Sequence, residues 1–403
     1  MSMTTESPWT EVRLGDIGQS LIGLTYSPEN VKRSGTLVLR SSNIQDGNLA
    51  LDDNVYVDCA IPQKIRVREN DILICVRNGS RRLIGKSVIL DQRVIGQTFG
   101  AFMAVYRSDV NSFLQYFFQS YDFKRQIDEH LGATINQITN RSLNSFVVAL
   151  PPKPEQIAIT SRLKDEDGVI SGLQRLIAKK QAVKQGVMQQ LVTGRTRLPG
   201  FTKTWQQALL SDVAIIDPEA LPASTDARAL IDYISLEDVE RGQILAHSHL
   251  RFGSAPSRAR RVIKSGDVLF GTVRPNLKSH AIYRAGLQRP IASTGFAVVR
   301  AVRERTDAQF LFHLLMSRLT DVQVERIIAG SNYPAVSSRD IRRLAFNFPP
   351  IEEQRAIGSM LADIDDDIAR ITQRLVKAQA IKVGMMQQLL TGRTRLPLKG
   401  IAQ

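Results

Sequence analysis

Two long stretches of this chain carry apolar residues at alternating spacings of three and four, the pattern of a helix with one buried face. In the later stretch these positions are Ile357, Leu361, Ile364, Ile368, Ile371, Leu375, Met385 and Leu389. There, Ala378 and Lys382 fill the interval between Leu375 and Met385. In the earlier stretch the apolar positions are Ile159, Leu163, Ile170, Leu173, Ile177, Val187 and Leu191, interrupted by the polar residues Glu166, Lys180 and Lys184. A Pro-Pro pair precedes each stretch and Thr-Gly follows it, as at helix starts and stops. We therefore predict two helices of about 35 residues, each roughly 50 Å long.

The two stretches are copies of one another. Residues 179–199 and 377–397 share 16 of 21 residues without a gap, at an offset of 198. The same offset relates Pro151-Pro152 and Glu155-Gln156 to Pro349-Pro350 and Glu353-Gln354. Upstream, Trp9, Leu14, Asp16, Ile17 and Asp71 correspond to Trp205, Leu210, Asp212, Val213 and Asp267, and Arg77 corresponds to Arg274 after a one-residue slip. The chain is thus an internal duplication, with a period too long for a solenoid repeat.

Each half begins with a divergent part and ends with a nearly constant one. We predict globular domains at 1–150 and 200–348, called the first and second domain below, and helical spacers at 151–199 and 349–403. Predicted strands are Thr36–Leu39, Asp71–Val76, Val88–Leu90, Val262–Ile263, Asp267–Phe270 and Phe296–Val299, and predicted helices are Phe113–Arg125 and Gln309–Arg318. This mixture predicts an α+β fold with pseudo-twofold symmetry.

Charges along the two spacers indicate how they pair. Acidic residues lie in the first third of each helix, at 165–167 and at 363 and 365–367, and lysines lie towards its end, at 179, 180 and 184 and at 377 and 382. An antiparallel coiled coil would place acidic beside basic residues at both ends, whereas a parallel one would oppose like charges. We predict antiparallel pairing, which would hold the two domains a fixed distance apart. The same gradient also suits the dipole of each single helix, an explanation that stays open.

Composition excludes several classes of protein. With 43% hydrophobic and 23% charged residues in 403, the chain can bury large cores and is not of the disordered type. No apolar run approaches the ~18 residues that span a bilayer, and the first residues do not form a signal peptide, so we expect a cytoplasmic protein without a membrane partner. Cys59 and Cys75 are too few for a disulfide framework or a thiolate metal site.

The charge balance points to an acidic partner. There are 53 basic and 39 acidic residues, which gives a net charge of +14. Double-stranded DNA or another nucleic acid is the first candidate, and solubility alone is the plainer alternative.

Basic and amide side chains near the predicted strands and turns are the candidate DNA contacts. Arginine, lysine and asparagine suit guanine O6/N7, phosphate oxygens and adenine N6/N7, respectively. The candidates are Arg40, Asn43, Arg77, Asn78, Arg81, Arg82, Lys86 and Arg141 in the first domain and Arg258, Arg260, Arg274, Asn276, Lys278 and Asn332 in the second. For any one of them, a solvated surface role explains the sequence equally well.

No catalytic motif is complete in this sequence. Gly79 and the run Gly85-Lys86-Ser87 resemble a P-loop, but five residues separate the glycines where that motif has four, and the residues that follow favour a strand. No Gly-rich loop accompanies an Asn-Pro-Pro-aromatic motif for adenine methylation, and the five histidines have no metal-site spacing. We expect no active site, metal or cofactor in this chain.

The run Phe-Pro-Pro, the following Glu-Glu-Gln-Arg-Ala-Ile, the heptad helix, Gln-Gln-Leu-Leu-Thr-Gly-Arg-Thr-Arg-Leu-Pro and their first-half counterparts closely resemble the DNA-specificity subunit of type I restriction-modification systems. The resemblance covers the full chain and is strongest in the constant segments. It implies two target-recognition domains that each read one half of a split DNA site, with paired helices as the spacer.

The same resemblance implies partners. Two modification subunits would dock on the constant segments, and restriction subunits would join through them. S-adenosylmethionine, ATP and Mg²⁺ would belong to those partners, so this chain would not itself be an enzyme. A stand-alone DNA-binding regulator or architectural protein is the alternative, although it would not need two constant docking segments.

Overall fold

The computed structural model of this protein describes residues 9–131, 136–329 and 334–397. It divides into two compact units: unit 1 contains residues up to 173 and from 374 onward, and unit 2 contains residues 174–373. Unit 1 therefore contains the first domain, the start of the first spacer and the end of the second spacer. The predicted bounds of the four regions stay a prediction. In the described part of the chain, no helix is long and apolar enough to cross a bilayer.

The first domain contains two four-stranded sheets whose central strands are short and apolar. Strands β1 to β12 are Thr10–Arg13, Gln19–Ile22, Val31–Lys32, Thr36–Leu39, Ile44–Gln45, Asn48–Leu49, Val55–Val57, Ile72–Cys75, Ser87–Ile89, Thr98–Phe99, Met103–Arg107 and Val147–Leu150. Helices α1 to α5 are Leu14–Ile17, Asn111–Phe117, Tyr121–His130, Asn140–Ser145 and Lys153–Val192. The sheets have the orders β2-β11-β8-β9 and β10-β4-β7-β3.

Strand β8 shows why this part of the sequence is apolar at every position. Ile72 and Ile74 belong to one buried cluster, and Leu73 and Cys75 belong to another. Since side chains alternate across a strand, β8 is covered on both faces and cannot show an apolar-polar alternation. Both cysteines are free thiols.

The second domain repeats this plan in unit 2. Strands β13 to β24 are Gln206–Leu209, Ala214–Ile216, Leu230–Ile234, Val239–Glu240, Gln243–Ile244, Ser248–Arg251, Ala259–Val262, Val268–Gly271, His280–Ile282, Pro290–Ser293, Phe296–Ala301 and Ala345–Phe348. Helices α6 to α10 are Leu210–Val213, Ala308–Met316, Arg318–Ile328, Ser338–Arg342 and Ile351–Leu389. The sheet order β14-β23-β20-β21 reproduces β2-β11-β8-β9. In the other sheet, β18-β15-β22 reproduces β7-β4-β10, but the fourth strand β19 pairs with β22, whereas β3 of the first domain pairs with β7 at the opposite edge. Each domain has one parallel strand pair, β4 with β10 and β15 with β22.

The predicted strands are present, with bounds shifted by a few residues. Of the two predicted domain helices, Phe113–Arg125 is broken into α2 and α3, whereas Gln309–Arg318 corresponds to α7, which ends at Met316 before α8 begins at Arg318. Ser120 leaves the helical conformation and accepts a hydrogen bond from the backbone N–H of Phe123, so it caps a new helix. Ser317 interrupts the second pair with extended backbone angles. The apolar pattern continued through both serines and therefore did not reveal the breaks.

The two predicted long helices are α5 and α10, of 40 and 39 residues. Each is followed by a glycine with a left-handed backbone, Gly194 at φ +70° and Gly392 at φ +68°. Glycine adopts this conformation without the strain that a Cβ would bring, so the predicted stop signals are confirmed.

Within unit 2, the end of α5 packs antiparallel to the start of α10. Lys180 Nζ lies 2.5 Å from Asp367 Oδ2, and Lys184 Nζ lies 2.5 Å from Asp365 Oδ1. Residue numbers rise along one helix as they fall along the other, so the predicted direction is confirmed.

Unit 1 has the matching arrangement between the start of α5 and the end of α10. Lys382 Nζ lies 2.6 Å from Asp167 Oδ1. Ile159 and Leu163 are fully buried in the same cluster as Met386 and Leu389. Burial of each such side chain contributes about 1.5 to 3 kcal/mol, so the apolar stripe supplies much of the stability of the pairing.

Candidate nucleic-acid interface

A buried ion pair fastens the first domain to the constant segments in unit 1. The carboxylate of Glu155, whose side chain is 2% exposed, accepts two hydrogen bonds from Arg395, at 2.6 Å from Nε and 2.7 Å from Nη2. The indole N–H of Trp9 donates to the same carboxylate at 3.0 Å. A bidentate pair of this kind is both strong and geometrically specific. We call this group of three side chains latch 1.

Unit 2 contains the equivalent group, latch 2. The carboxylate of Glu353 is fully buried and accepts hydrogen bonds from Arg197, at 2.5 Å from Nε and 2.7 Å from Nη2, and from the indole of Trp205 at 3.3 Å. In each latch the arginine comes from one copy of the duplication and the glutamate from the other. The exchange explains why the Glu-Gln and Thr-Gly-Arg-Thr-Arg runs recur unchanged.

A second pair of equivalent positions links each domain to the long helices. In unit 1 the hydroxyl of Tyr116 donates to Asp167 Oδ2 at 2.9 Å. Burial raises the pKa of Tyr116, and the charge of Asp167 raises it further. In unit 2 the corresponding residue is His313, at the same place in α7 and beside Asp365.

His313 has no hydrogen-bond partner among the described residues for either ring nitrogen, although its side chain is fully buried. Burial lowers the pKa of His313 to about 3, and the positive charges of Lys184 and Arg284 act in the same direction. Asp365 Oδ2 is 3.8 Å from Nε2, too far for a hydrogen bond that would hold the proton. The imidazole is therefore neutral at physiological pH.

In the first domain a rigid turn follows strand β4 and presents Arg40, Ser41 and Ser42. Asn43, which is completely buried, accepts a hydrogen bond from the backbone N–H of Arg40 at 2.9 Å and donates to the carbonyl of Ala50, also at 2.9 Å. The turn therefore has one defined conformation, set by a side chain that never reaches solvent.

The second domain has the same turn after β15. Asp238 accepts a hydrogen bond from the backbone N–H of Ser235 at 2.8 Å, as Asn43 does from Arg40. The tight hairpin that follows contains a left-handed residue in both domains, Asp46 at φ 50° and Arg241 at φ 44°. The backbone frame is conserved between the domains. The presented side chains are not, because Ser235 and Glu237 stand where the first domain has Arg40 and Ser42.

A loop before β11 lies beside this turn and carries Phe102, which is 56% exposed. The guanidinium of Arg77 lies 5.1 Å from the centre of the Phe102 ring, within cation–π range. In the second domain the residue at the Phe102 position is Gly295, since Gly295 and Phe102 both precede the strand and both accept a backbone hydrogen bond from the end of the neighbouring strand.

The strand pairing corrects one correspondence expected from the sequence. Arg77 forms a β-bridge with Gln137, and Val273 forms the equivalent bridge with Ala335. The counterpart of Arg77 is therefore Val273, with no one-residue slip, and Arg274 is one position further along.

Comparison with known proteins agrees with the duplicated fold. Residues 6–183 and 231–379 match the family described as Type I restriction modification DNA specificity domain. The chain belongs to this family. Each matched segment combines a large part of one domain with most of the long helix that follows it.

Curated relatives are distant in sequence. The type I restriction enzyme MjaVIII specificity subunit of Methanocaldococcus jannaschii is 24% identical over 355 residues, which cover 83% of this chain and 81% of that protein. The type I restriction enzyme EcoKI specificity subunit of Escherichia coli is 27% identical over 165 residues, which cover 38% of this chain and 35% of that protein.

Solved structures show the same fold. A type-I restriction-modification system S subunit from M. genitalium matches with a TM-score of 0.58 and 13% identity, covering 97% of this chain and 98% of its own. A chain from a study of complex assembly and conformational transition of the type I R-M system matches with a TM-score of 0.54 and 18% identity, covering 95% and 97%.

In this member of the specificity-domain family, seven of the fourteen predicted DNA contacts are exposed. The exposed ones are Arg77, Arg81, Arg82, Arg141, Arg258, Arg274 and Asn276. Arg77, Asn78, Arg81 and Arg82 follow β8 directly, and Arg274, Asn276 and Lys278 follow the equivalent strand β20. In each domain, several candidate DNA contacts therefore lie at the same end of the sheet that contains β8 or β20. Whether they contact DNA stays a prediction.

Partly buried candidates are held by neighbours that fix their direction. Arg40 pairs with Asp53 at 2.9 Å, Lys86 donates to the carbonyl of Ile44 at 2.9 Å, Lys278 pairs with Asp321 at 2.6 Å, and Arg260 lies 4.7 Å from the ring centre of Phe252. A fixed direction lowers the entropy lost when such a side chain binds.

The prediction that Asn43 contacts DNA is wrong. Its burial and its three hydrogen bonds to backbone carbonyl and N–H groups leave nothing to offer a base, so it positions Arg40 instead of contacting DNA. Asn332 lies outside the described residues.

The sequence analysis missed Phe102 and both latches. Phe102 is a lone aromatic residue, and no periodicity marks it as exposed. The latches left a clear signal, because Glu155 with Arg197 and Glu353 with Arg395 repeat at the offset of 198. A repeated Glu and Arg indicate pairing, but only the fold shows that each glutamate pairs with the arginine of the other copy.

Proposed function

We propose that this chain is the DNA-binding specificity subunit of a type I restriction-modification complex and that each domain reads one half of a bipartite DNA site. The observation that carries the proposal is the pair of turns after β4 and β15. Their backbone and capping hydrogen bonds agree, whereas the side chains they present differ. Two domains that recognise different half-sites need the same backbone to position their side chains and different side chains to contact the bases.

The constant segments are proposed to dock two modification subunits, through which restriction subunits join. Unit 1 supports this with an open groove of about 680 Å³ between α5 and α10, where Val169 and Ile381 are 50% and 55% exposed. Exposed apolar side chains favour a protein partner. The duplication of the constant segments favours two equivalent docking places. The paired helices are proposed to set the spacing between the half-sites, at about one turn of DNA.

Catalysis is proposed to belong to the partners. S-adenosylmethionine would bind the modification subunits, and ATP and Mg²⁺ the restriction subunits, whereas this chain would direct them to a sequence. The chain alone should then be inert, and adenine methylation should require a modification subunit.

Methylome sequencing of cells that express the whole system tests the proposal. We expect one split, non-palindromic motif, and exchange of residues 1–150 for the corresponding domain of another family member should change one half of it. A change in both halves, or methylation without the chain, would contradict the proposal.

A further inference from the structure

The loop between strands β20 and β21 of the second domain, residues 272–279, contains two left-handed residues that are not glycine. Arg274 has φ 47° and Lys278 has φ 58°. A residue with a Cβ adopts this conformation at a cost in free energy, and the conformation persists only where the surrounding structure holds it. In the equivalent connection of the first domain, residues 76–86, the left-handed residue is Gly85, which avoids that cost. The second domain therefore maintains a strained turn where the first does not.

Contacts with the rest of the domain hold the strained turn. The backbone N–H of Arg274 donates to the carbonyl of Pro334 at 2.8 Å. The ammonium group of Lys278 donates to the carbonyl of Met316 at 2.8 Å and pairs with Asp321 at 2.6 Å, which neutralises this carboxylate. The turn thus has one defined conformation before any ligand binds, and this lowers the entropy lost on binding.

The loop presents two apolar and two polar side chains to solvent. Val273 and Leu277 are 46% and 57% exposed. Arg274 and Asn276 are exposed as well, and their side chains have no hydrogen-bond or ion-pair partner in the part of the chain that the structure describes. A ligand that suits this loop offers both hydrogen-bonding groups and an apolar surface.

We propose that the loop of residues 272–279 recognises an A·T base pair in the half-site bound by the second domain. The amide of Asn276 donates to N7 of adenine and accepts from its N6 amino group, and Leu277 packs against the C5-methyl group of thymine. Arg274 binds a neighbouring phosphate. This inference rests on the proposed function and names residues that carry it out.

The major-groove edges of the bases explain why A·T is preferred. The side-chain amide of Asn276 has one donating and one accepting group, and adenine presents one acceptor and one donor. Guanine presents two acceptors, one of which would face the amide oxygen. The methyl group of thymine is the apolar group that Leu277 can cover. The charge of Arg274 adds affinity without distinguishing between bases.

The equivalent loop of the first domain lacks this combination of side chains. It has Arg77 at the position of Val273, and no large apolar side chain is exposed in residues 76–86. The exposed residues there include Arg81 and Arg82. Such a loop does not suit a thymine methyl group, so the two loops favour different base pairs, as two unlike half-sites require.

The first test uses the complex of this chain with its modification subunits and measures adenine methylation on DNA in which each half-site position is varied in turn. The half-site of the second domain is the one that stays unchanged when residues 1–150 are exchanged. Asn276→Ala should reduce the preference for one A·T pair of that half-site by about 5- to 150-fold, the range of one good base contact. Arg274→Ala should instead weaken methylation of all sequences alike.

Modified bases test the individual contacts. In one DNA the adenine of this pair carries carbon in place of N7, and in another the thymine is replaced by uracil, which lacks the methyl group. The unaltered complex should methylate both more slowly. Asn276→Ala should no longer respond to the loss of N7, and Leu277→Ala should no longer respond to the loss of the methyl group, because a contact that is already absent cannot be lost again.

Asn347→Ala is the matched control, since Asn347 is an exposed asparagine of the same domain that lies on β24, outside this loop. It should leave every base preference unchanged. The inference is wrong if Asn276→Ala weakens every position alike, if this variant loses its modification subunits instead of a base preference, or if the half-site contains no A·T pair. If the unaltered complex has no bipartite motif at all, the proposed function fails as well, so the same experiment distinguishes the two failures.

Discussion

The latches and the turns after β4 and β15 differ in how far the duplication keeps their residues. Latch 1 and latch 2 use the same three residue types, with hydrogen-bond distances that agree within a few tenths of an ångström. The turns after β4 and β15 share the same capping hydrogen bond, but the side chains that they present differ. Ser235 replaces Arg40, and Glu237 replaces Ser42. Residue identity is thus kept where the two copies contact each other, and it is lost at the turns that we propose to contact DNA.

The largest expected effect comes from breaking one latch. Arg395→Ala leaves the carboxylate of Glu155 buried without its cation, which costs about 3 to 5 kcal/mol, with the lower end expected because Arg395 is 31% exposed. Chemical denaturation should show a lower midpoint for unit 1. Arg197→Ala should destabilise unit 2 in the same direction.

The neighbouring Arg195→Ala is the control, because Arg195 lies in the same Thr-Gly-Arg-Thr-Arg run and is exposed. Its midpoint should stay near that of the unaltered chain. An equal decrease in the denaturation midpoint for Arg195→Ala and Arg197→Ala would mean that the run stabilises the chain through its charge and not through the latch.

The second prediction concerns the loss of stability of unit 2 at acidic pH. Burial lowers the pKa of His280 to about 3, as it does for His313, below the ordinary value near 6.5. The unfolded chain then binds these protons more readily than the folded chain, so unit 2 is fully stabilised above about pH 6.5 and loses stability as the pH falls towards 3. Each histidine contributes a slope of about 1.4 kcal/mol per pH unit in this window.

Substitutions at the equivalent positions His313 and Tyr116 should affect the pH dependence of the two units differently. His313→Phe should remove about half of the acid slope of unit 2, measured by denaturation at several pH values between 7 and 4. Tyr116→Phe should leave the slope of unit 1 unchanged over the same range, since burial raises the pKa of Tyr116. An undiminished slope in His313→Phe would mean that the imidazole of His313 is solvated.

The two regions also differ in how far the sequence predicted them. The long helices, their stops and their antiparallel direction follow from periodicity, glycine positions and charge, all of which are local or repeated signals. Asn43 is the opposite case, because a polar residue on a turn is compatible with solvent, and only the fold shows that Ala50 and Asp53 enclose its amide. Phe102 is a similar case, because the sequence around it does not show that its ring is exposed.

The smallest expected effect tests the helix pairing. Asp366 pairs with Arg284 and not with a lysine of α5, so a charge reversal of residues 365–367 together would disturb three ion pairs at once. Asp365→Lys isolates the pair with Lys184. Both side chains are about one-quarter exposed, so the loss should be about 1 kcal/mol.

Reversing the charge of the partner residue as well tests whether the loss of stability comes from the broken ion pair. Lys184→Asp combined with Asp365→Lys should restore the denaturation midpoint of unit 2, because the pair is remade with its charges exchanged. The same double exchange at Asp167 and Lys382 should restore unit 1, where the equivalent distance is 2.6 Å. Rescue in one unit alone would show that Tyr116 and His313, which adjoin the two aspartates, make the pairs unequal. Failure of rescue in both, with folded single variants, would count against the antiparallel contact as a source of stability.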